Sequence, residues 1–150
     1  MKRILTFLKW LLLSFGLLLI GALIYVHNLD FSMSDEDIAH AFADLSYHPK
    51  EHTLELPNRS IHYVAIGDTS KPKVLFVHGS PGSWDNFLGF MRNPNLLQNF
   101  RMISVDRPGF GKSGNGNPER SLKKQAELVA QVLKEENHST NSILVGHSLE

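Results

Sequence analysis

Across 150 residues, 15 Lys and Arg balance 15 Asp and Glu, so a formal net charge of zero offers no long-range field for nucleic acid or another polyanion. The absence of cysteine excludes disulfides, thiolate catalysis and cysteine-based metal sites, and neither a metal nor a cofactor is expected. The length allows one domain, and an apolar N-terminal segment leaves about 100 to 120 residues for a soluble core.

That segment, "MKRILTFLKWLLLSFGLLLIGALIYVHNLD", holds an uncharged run from Trp10 to Val26 of about 17 residues, near the lower limit for a bilayer-spanning helix. Extended back to Ile4 it reaches about 23, with Lys9 the exception. Lys9 can snorkel toward headgroups, and Trp10 and Tyr25 sit where interfacial aromatics are favoured. Lys2, Arg3 and Lys9 precede the run, whereas Asp30, Asp35, Glu36 and Asp37 follow it. The pattern predicts a single-pass signal anchor with the N-terminus cytoplasmic and the rest of the chain on the non-cytoplasmic side of a membrane. A cleaved secretory signal is the competing reading; the apolar region is long for one and no A-x-A-like site follows.

Residues 1–29 are thus expected as cytoplasmic tip and anchor, 30–50 as an amphipathic connector, and 51–150 as the functional domain. In the connector, "FSMSDEDIAHAFADL" reads as a short helix with Ser34 as N-cap, acids in the first turn, and Ile38, Phe42 and Leu45 on one face. "HTLELPNRSIHYVAIG" gives two alternating runs around "PNRS", the pattern of an antiparallel hairpin. "KVLFVHG", "FRMISVDRPG" and "NSILVGHS" each hold a compact apolar run ending in a turn, as strands buried on both faces do. Leu122 to Glu136 has helical spacing with Ser121 as cap, while the stretch from Phe87 to Phe100 is broken by "NPN". The alternation of strand and helix predicts an α/β domain with parallel central strands, whose functional loops lie beyond the strands' carboxyl ends.

Three motifs fall at those ends. Ser148 follows "SILV" through Gly146 and His147, and a serine on a sharp strand-to-helix turn is lifted out of the sheet with its hydroxyl exposed. Gly146 meets the demand for a small neighbour; Glu150, two after the serine, does not. The loop "HGSPGSW", with Gly79 and Gly82, can present a backbone N–H to a developing oxyanion. Ser80 N–H is the expected donor, and Leu149 N–H the second. His78 is expected as a core histidine bonded to nearby loops, and Trp84 as packing or as a possible pocket wall. In "DRPGFGKS" the "GKS" suggests a phosphate-binding loop, but the glycine required five residues before Gly111 is Asp106. A turn accounts for it better: Pro108 fixes φ, Gly109 and Gly111 permit tight backbone, and Asp106 accepts from following N–H groups.

Together, "HGSPG", "DRPGFGKS" and "VGHSL", in this order and each at a strand end, closely resemble the α/β-hydrolase superfamily over residues 54–149. The resemblance implies the N-terminal half of an α/β-hydrolase sheet, with a leading antiparallel hairpin and then parallel strands with helices. It also implies a serine hydrolase with an HGxPG oxyanion loop, acting on a small-molecule acyl substrate, with no nucleic-acid partner. Related epoxide hydrolases and dehalogenases use an aspartate nucleophile, which Ser148 argues against. In the family the catalytic acid and histidine follow the nucleophile, and no such residue follows Ser148 here. His27, His40, His48, His52, His62, His138 and His147 do not match the family position for the base. The expectation is an N-terminal fragment of a membrane-anchored serine hydrolase, inactive by itself; the alternative is a non-catalytic, membrane-tethered interaction module on a hydrolase scaffold.

Overall fold

Helix α1, Lys2–His27, opens the chain and is apolar on every side, as its composition requires. The computed structural model describes residues 2–27, 33–114, 116–136 and 141–147. Within α1 the stretch Arg3–Val26 is long and apolar enough to cross a membrane, with a mean hydropathy of 2.2 and no residue buried. The chain divides into two compact units, Met1–Asp30 and Phe31–Glu150.

The second unit is an α/β sandwich. Its strands are β1 (Lys50–Leu56), β2 (Arg59–Ile66), β3 (Lys73–Val77), β4 (Arg101–Val105) and β5 (Ser142–Gly146), in spatial order β1-β2-β4-β3-β5. β1 and β2 form the expected antiparallel hairpin about Pro57 and Asn58, with Leu56 opposite Arg59. β2 pairs antiparallel with β4, and β3 is parallel to both β4 and β5. The sheet is therefore mixed, antiparallel at the hairpin side and parallel where the motifs lie.

Strand alternation divides the core in two. One face sets Val64, Ile66, Val74, Phe76 and Met102 against α2 (Asp35–Ala41), a 3-10 turn (Trp84–Phe87), α3 (Leu88–Met91) and α4 (Pro94–Asn99). The other sets Ile61, Tyr63, Leu75, Val77, Ile103 and Val105 against Val129 and Val132 of α5 (Leu122–Glu135). α2 begins where Ser34 accepts the Asp37 N–H at 3.2 Å, and Ile38 of α2 and Phe42, its C-cap, join the core within the same compact unit as the sheet. The stretch from Phe87 to Phe100 splits because Asn93 accepts from the N–H groups of Asn95 and Leu96, and Pro94 starts a new helix at a position that needs no N–H. β5 lies at the sheet edge with Ile143 and Leu144 exposed, beside an apolar groove of about 370 Å³ against α5.

Candidate active site

Because β4, β3 and β5 run parallel side by side, their following loops emerge at one edge of the sheet. The His147 N–H donates to the Val77 carbonyl at 3.1 Å. This carries the β3–β5 ladder past the Val77–Gly146 pair and sets the residue before Ser148 beside the start of the His78–Trp84 loop. Ser148, Leu149 and Glu150 lie outside the described residues, as does His138.

His78 is fully buried and joins two of the loops. Its Nδ1 lies 2.6 Å from the Gly79 carbonyl, and its Nε2 accepts the Arg107 N–H at 3.0 Å. A proton on Nδ1 and a lone pair on Nε2 satisfy both, so the ring is held as one neutral tautomer. Burial pushes its pKa below the ordinary histidine value. With both nitrogens occupied, the ring has none left to take a proton from a nucleophile. Phe110 meets it edge-on at 5.5 Å and stacks on the Arg107 guanidinium at 5.2 Å, closing the second loop over the first.

Asp106 is the other anchor. Its fully buried carboxylate accepts the Trp84 N–H at 2.7 Å, the Lys112 N–H at 3.0 Å and a bond from His62 Nδ1 at 2.8 Å. Such a carboxylate ties a turn together in the way three backbone bonds would. Gly111, at φ +48°, passes so close that a Cβ would collide with that carboxylate, and Gly109, at φ +93°, backs onto the chain at Asn117 and Pro118. Ser113 closes the turn: its hydroxyl donates to the Asp106 carbonyl and accepts the His62 N–H, each at 2.8 Å. Lys112 of the "GKS" triplet turns away from any phosphate role, with its ammonium 2.7 Å from Glu51.

The remaining expected residues distribute as follows. Ser80 is exposed at the loop tip, and its peptide bond to Pro81 is cis. Gly79 is buried behind it, and Gly82 is crowded by the Asn86 amide and the His78 ring. Gly146 ends β5. The Trp84 indole packs in the core at 1% exposure, and its carbonyl accepts from the Ser104 hydroxyl at 2.6 Å. Among the described residues no group of His, Asp or Glu is arranged to hold a metal ion.

Sequence reasoning passed over His62 and Ser113. His62 was legible in principle, since it occupies the same face of β2 as Val64 and Ile66, and a polar residue at an inward strand position demands a partner. Asp85 was also missed: its carboxylate accepts the Met33 N–H at 2.8 Å and ties the connector to the 3-10 turn.

The sequence profile described as the alpha/beta hydrolase fold matches residues 72–149. Among curated proteins, the chain is 27% identical over 114 residues to the dihydrolipoyllysine-residue acetyltransferase component of the acetoin cleaving system of Pseudomonas putida, covering 76% of this chain and 30% of that protein. It is 30% identical over 89 residues to epoxide hydrolase 3 of Xenopus tropicalis, covering 57% of this chain and 23% of that protein. Among solved structures, a membrane phospholipase A described as a bacterial virulence factor is similar over 99% of this chain and 44% of its own, with 27% identity and a TM-score of 0.58. The chain thus spans less than a third of the two curated relatives' lengths and under half of the phospholipase. The matched residues run from β3 through β5 and include the 3-10 turn, α3, α4, β4 and α5, and the chain belongs to the α/β-hydrolase fold family.

Proposed function

We propose that these residues are the nucleophile-bearing part of a serine hydrolase, anchored in a membrane through α1, that cleaves a carboxylic ester or related acyl bond. Ser148 is the nucleophile, and the N–H groups of Ser80 and Leu149 receive the oxyanion. The observation that carries the reading is the bond from His147 to Val77, which brings the residue next to Ser148 against the strand that feeds the Ser80 loop. Attack of the serine hydroxyl on the acyl carbonyl places negative charge on the carbonyl oxygen, and two fixed backbone donors stabilise it without reorganising. A serine at position 148, in place of the aspartate that epoxide hydrolases use, favours acyl transfer over epoxide opening. The similarity to a membrane phospholipase A extends over α1 as well as the sheet, and it supports membrane-lipid acyl esters as the substrate class.

Among the described residues beside these loops, no histidine is free to act as the base. His62 and His78 are buried with both ring nitrogens engaged, and His147 precedes the nucleophile on the strand exit. Without a base a serine hydroxyl is a weak nucleophile, so the 150 residues alone are expected to be inactive. Purified chain should hydrolyse a small activated ester no faster than its Ser148→Ala variant. A homologue of the relatives' length that carries the same three motifs should take a fluorophosphonate label on the serine matching Ser148 and release fatty acid from phospholipid vesicles. Label that survives alanine substitution there would refute the nucleophile assignment.

A further inference from the structure

His62 has no part in the hydrolytic scheme, yet it is 2% exposed and both its ring nitrogens face carboxylates. Nδ1 lies 2.8 Å from Asp106 Oδ2, and Nε2 lies 3.1 Å from Glu51 Oε2 on the neighbouring strand. Both partners are otherwise bonded as anions. Asp106 also accepts the N–H groups of Trp84 and Lys112, and Glu51 accepts the Lys112 ammonium at 2.7 Å. Desolvation raises the Glu51 carboxyl, but the bonds from Lys112 and His62 more than offset it and leave it below its ordinary value. Between two such acceptors the ring makes both bonds only by supplying both hydrogens. A neutral ring would set a nitrogen lone pair against a carboxylate oxygen at one end.

The groups facing this ring come from three elements: Glu51 from β1, Asp106 and Lys112 from the loop after β4, and, through Lys112 at 3.6 Å, Asp35 of α2. The consequence lies in what Asp106 holds. The loop bearing Ser80 is fixed at its start by His78, bonded to Gly79 and Arg107, and at its end by Asp106, bonded to the Trp84 N–H. His62 braces that second fixture from behind.

We propose that His62 is a positioning residue for the Ser80 loop: as an imidazolium clamped between Glu51 and Asp106, it orients the Asp106 carboxylate that fixes the Trp84 N–H and so the end of the loop. The functional meaning rests on the reading of that loop as the oxyanion loop; the clamp itself does not.

The test uses the full chain, isotope-labelled in detergent micelles near neutral pH. Ring-nitrogen spectra of His62 are expected to show both nitrogens protonated, and a singly protonated ring overturns the proposal. Two substitutions then separate positioning from mere packing. His62→Asn sets its amide donor where Nδ1 stood and keeps the bond to Asp106; His62→Gln sets its donor farther out, toward Glu51. Hydrogen exchange at the Trp84 amide is expected to quicken about tenfold or more in His62→Gln, as loss of a bond between charged groups implies, and to stay near the parent rate in His62→Asn. Equal rates in the two variants overturn the proposal. Should His62→Gln not fold, Glu51→Leu decides: with no acceptor facing Nε2 the ring is expected to lose its second proton and become neutral, and a ring that stays doubly protonated overturns the clamp. Ser148→Ala should change none of these readouts. If they hold while the matching serine of the longer homologue takes no label, the hydrolase reading falls and the brace stands.

Discussion

Gly111 and Gly114 sit three residues apart in the same turn, at φ +48° and +76°, yet the structure gives them different reasons for being glycine. A Cβ at Gly114 meets nothing within 4 Å, so Gly114→Ala pays for the backbone alone, about 1 kcal/mol. At Gly111 the same atom would strike the buried Asp106 carboxylate, which cannot give way without releasing Trp84, Lys112 or His62. Gly111→Ala is expected to cost about 2 to 4 kcal/mol. Chemical denaturation of the two variants checks this, and equal costs would show that the carboxylate is not what confines Gly111. The turn itself was legible in "DRPGFGKS", because Pro, Gly and Asp each carry a local backbone preference. One partner of Asp106, the following Lys112 N–H, was legible with the turn; the other two were not, because His62 lies 44 residues away and Trp84 lies 22 away, and no local preference encodes such a pairing.

α5 shows the same division at the scale of an element. Its existence follows from the apolar spacing of Leu122 to Glu136, and its start from Ser121, whose hydroxyl accepts the Lys124 N–H at 3.4 Å. What pins its far end to the sheet does not follow from any period. Arg101, the first residue of β4, meets the carboxylate of Glu136, the C-cap, through Nε at 2.6 Å and a second nitrogen at 3.1 Å, and both side chains are buried. Desolvation raises the Glu136 carboxyl, but the bond to Arg101 holds it below its ordinary value. Removing one partner strands the other as a buried charge, so Arg101→Met is expected to destabilise the domain by about 3 kcal/mol. The double variant Arg101→Met, Glu136→Met should recover most of that loss in thermal or chemical unfolding. A double variant as unstable as the sum of its parts would argue that packing, not the ion pair, holds the helix end. Strand order was hidden in a related way. Alternation reveals which face a residue occupies, but not that β4 inserts between β2 and β3, because neighbours are chosen by the path of the connections.

The whole molecule poses the question of what covers α1. Its stretch Arg3–Val26 of 24 residues is about 36 Å long as a helix, enough to cross a hydrocarbon layer of about 30 Å with some tilt. Leu, Ile and Phe side chains are exposed along the whole of it, and a helix apolar on all sides has no face to offer water. A signal sequence would share this composition, so length and hydropathy do not decide between anchor and leader; the flanks add the information. Lys2, Arg3 and Lys9 lie before or at the start of the apolar run, and Asp35, Glu36 and Asp37 form the first turn of α2 after it. Positive residues resist translocation, so the expected topology keeps the N-terminus cytoplasmic. A phosphatase reporter fused after Asp30 should be active only in the non-cytoplasmic compartment, and replacing Lys2, Arg3 and Lys9 by Glu should reduce that activity by inverting part of the population. Alkaline carbonate should leave the full-length fusion in the membrane pellet. Release into the supernatant, with loss of the first thirty residues by mass, would identify α1 as a leader, and the lipid-ester reading would then lose its support from the membrane.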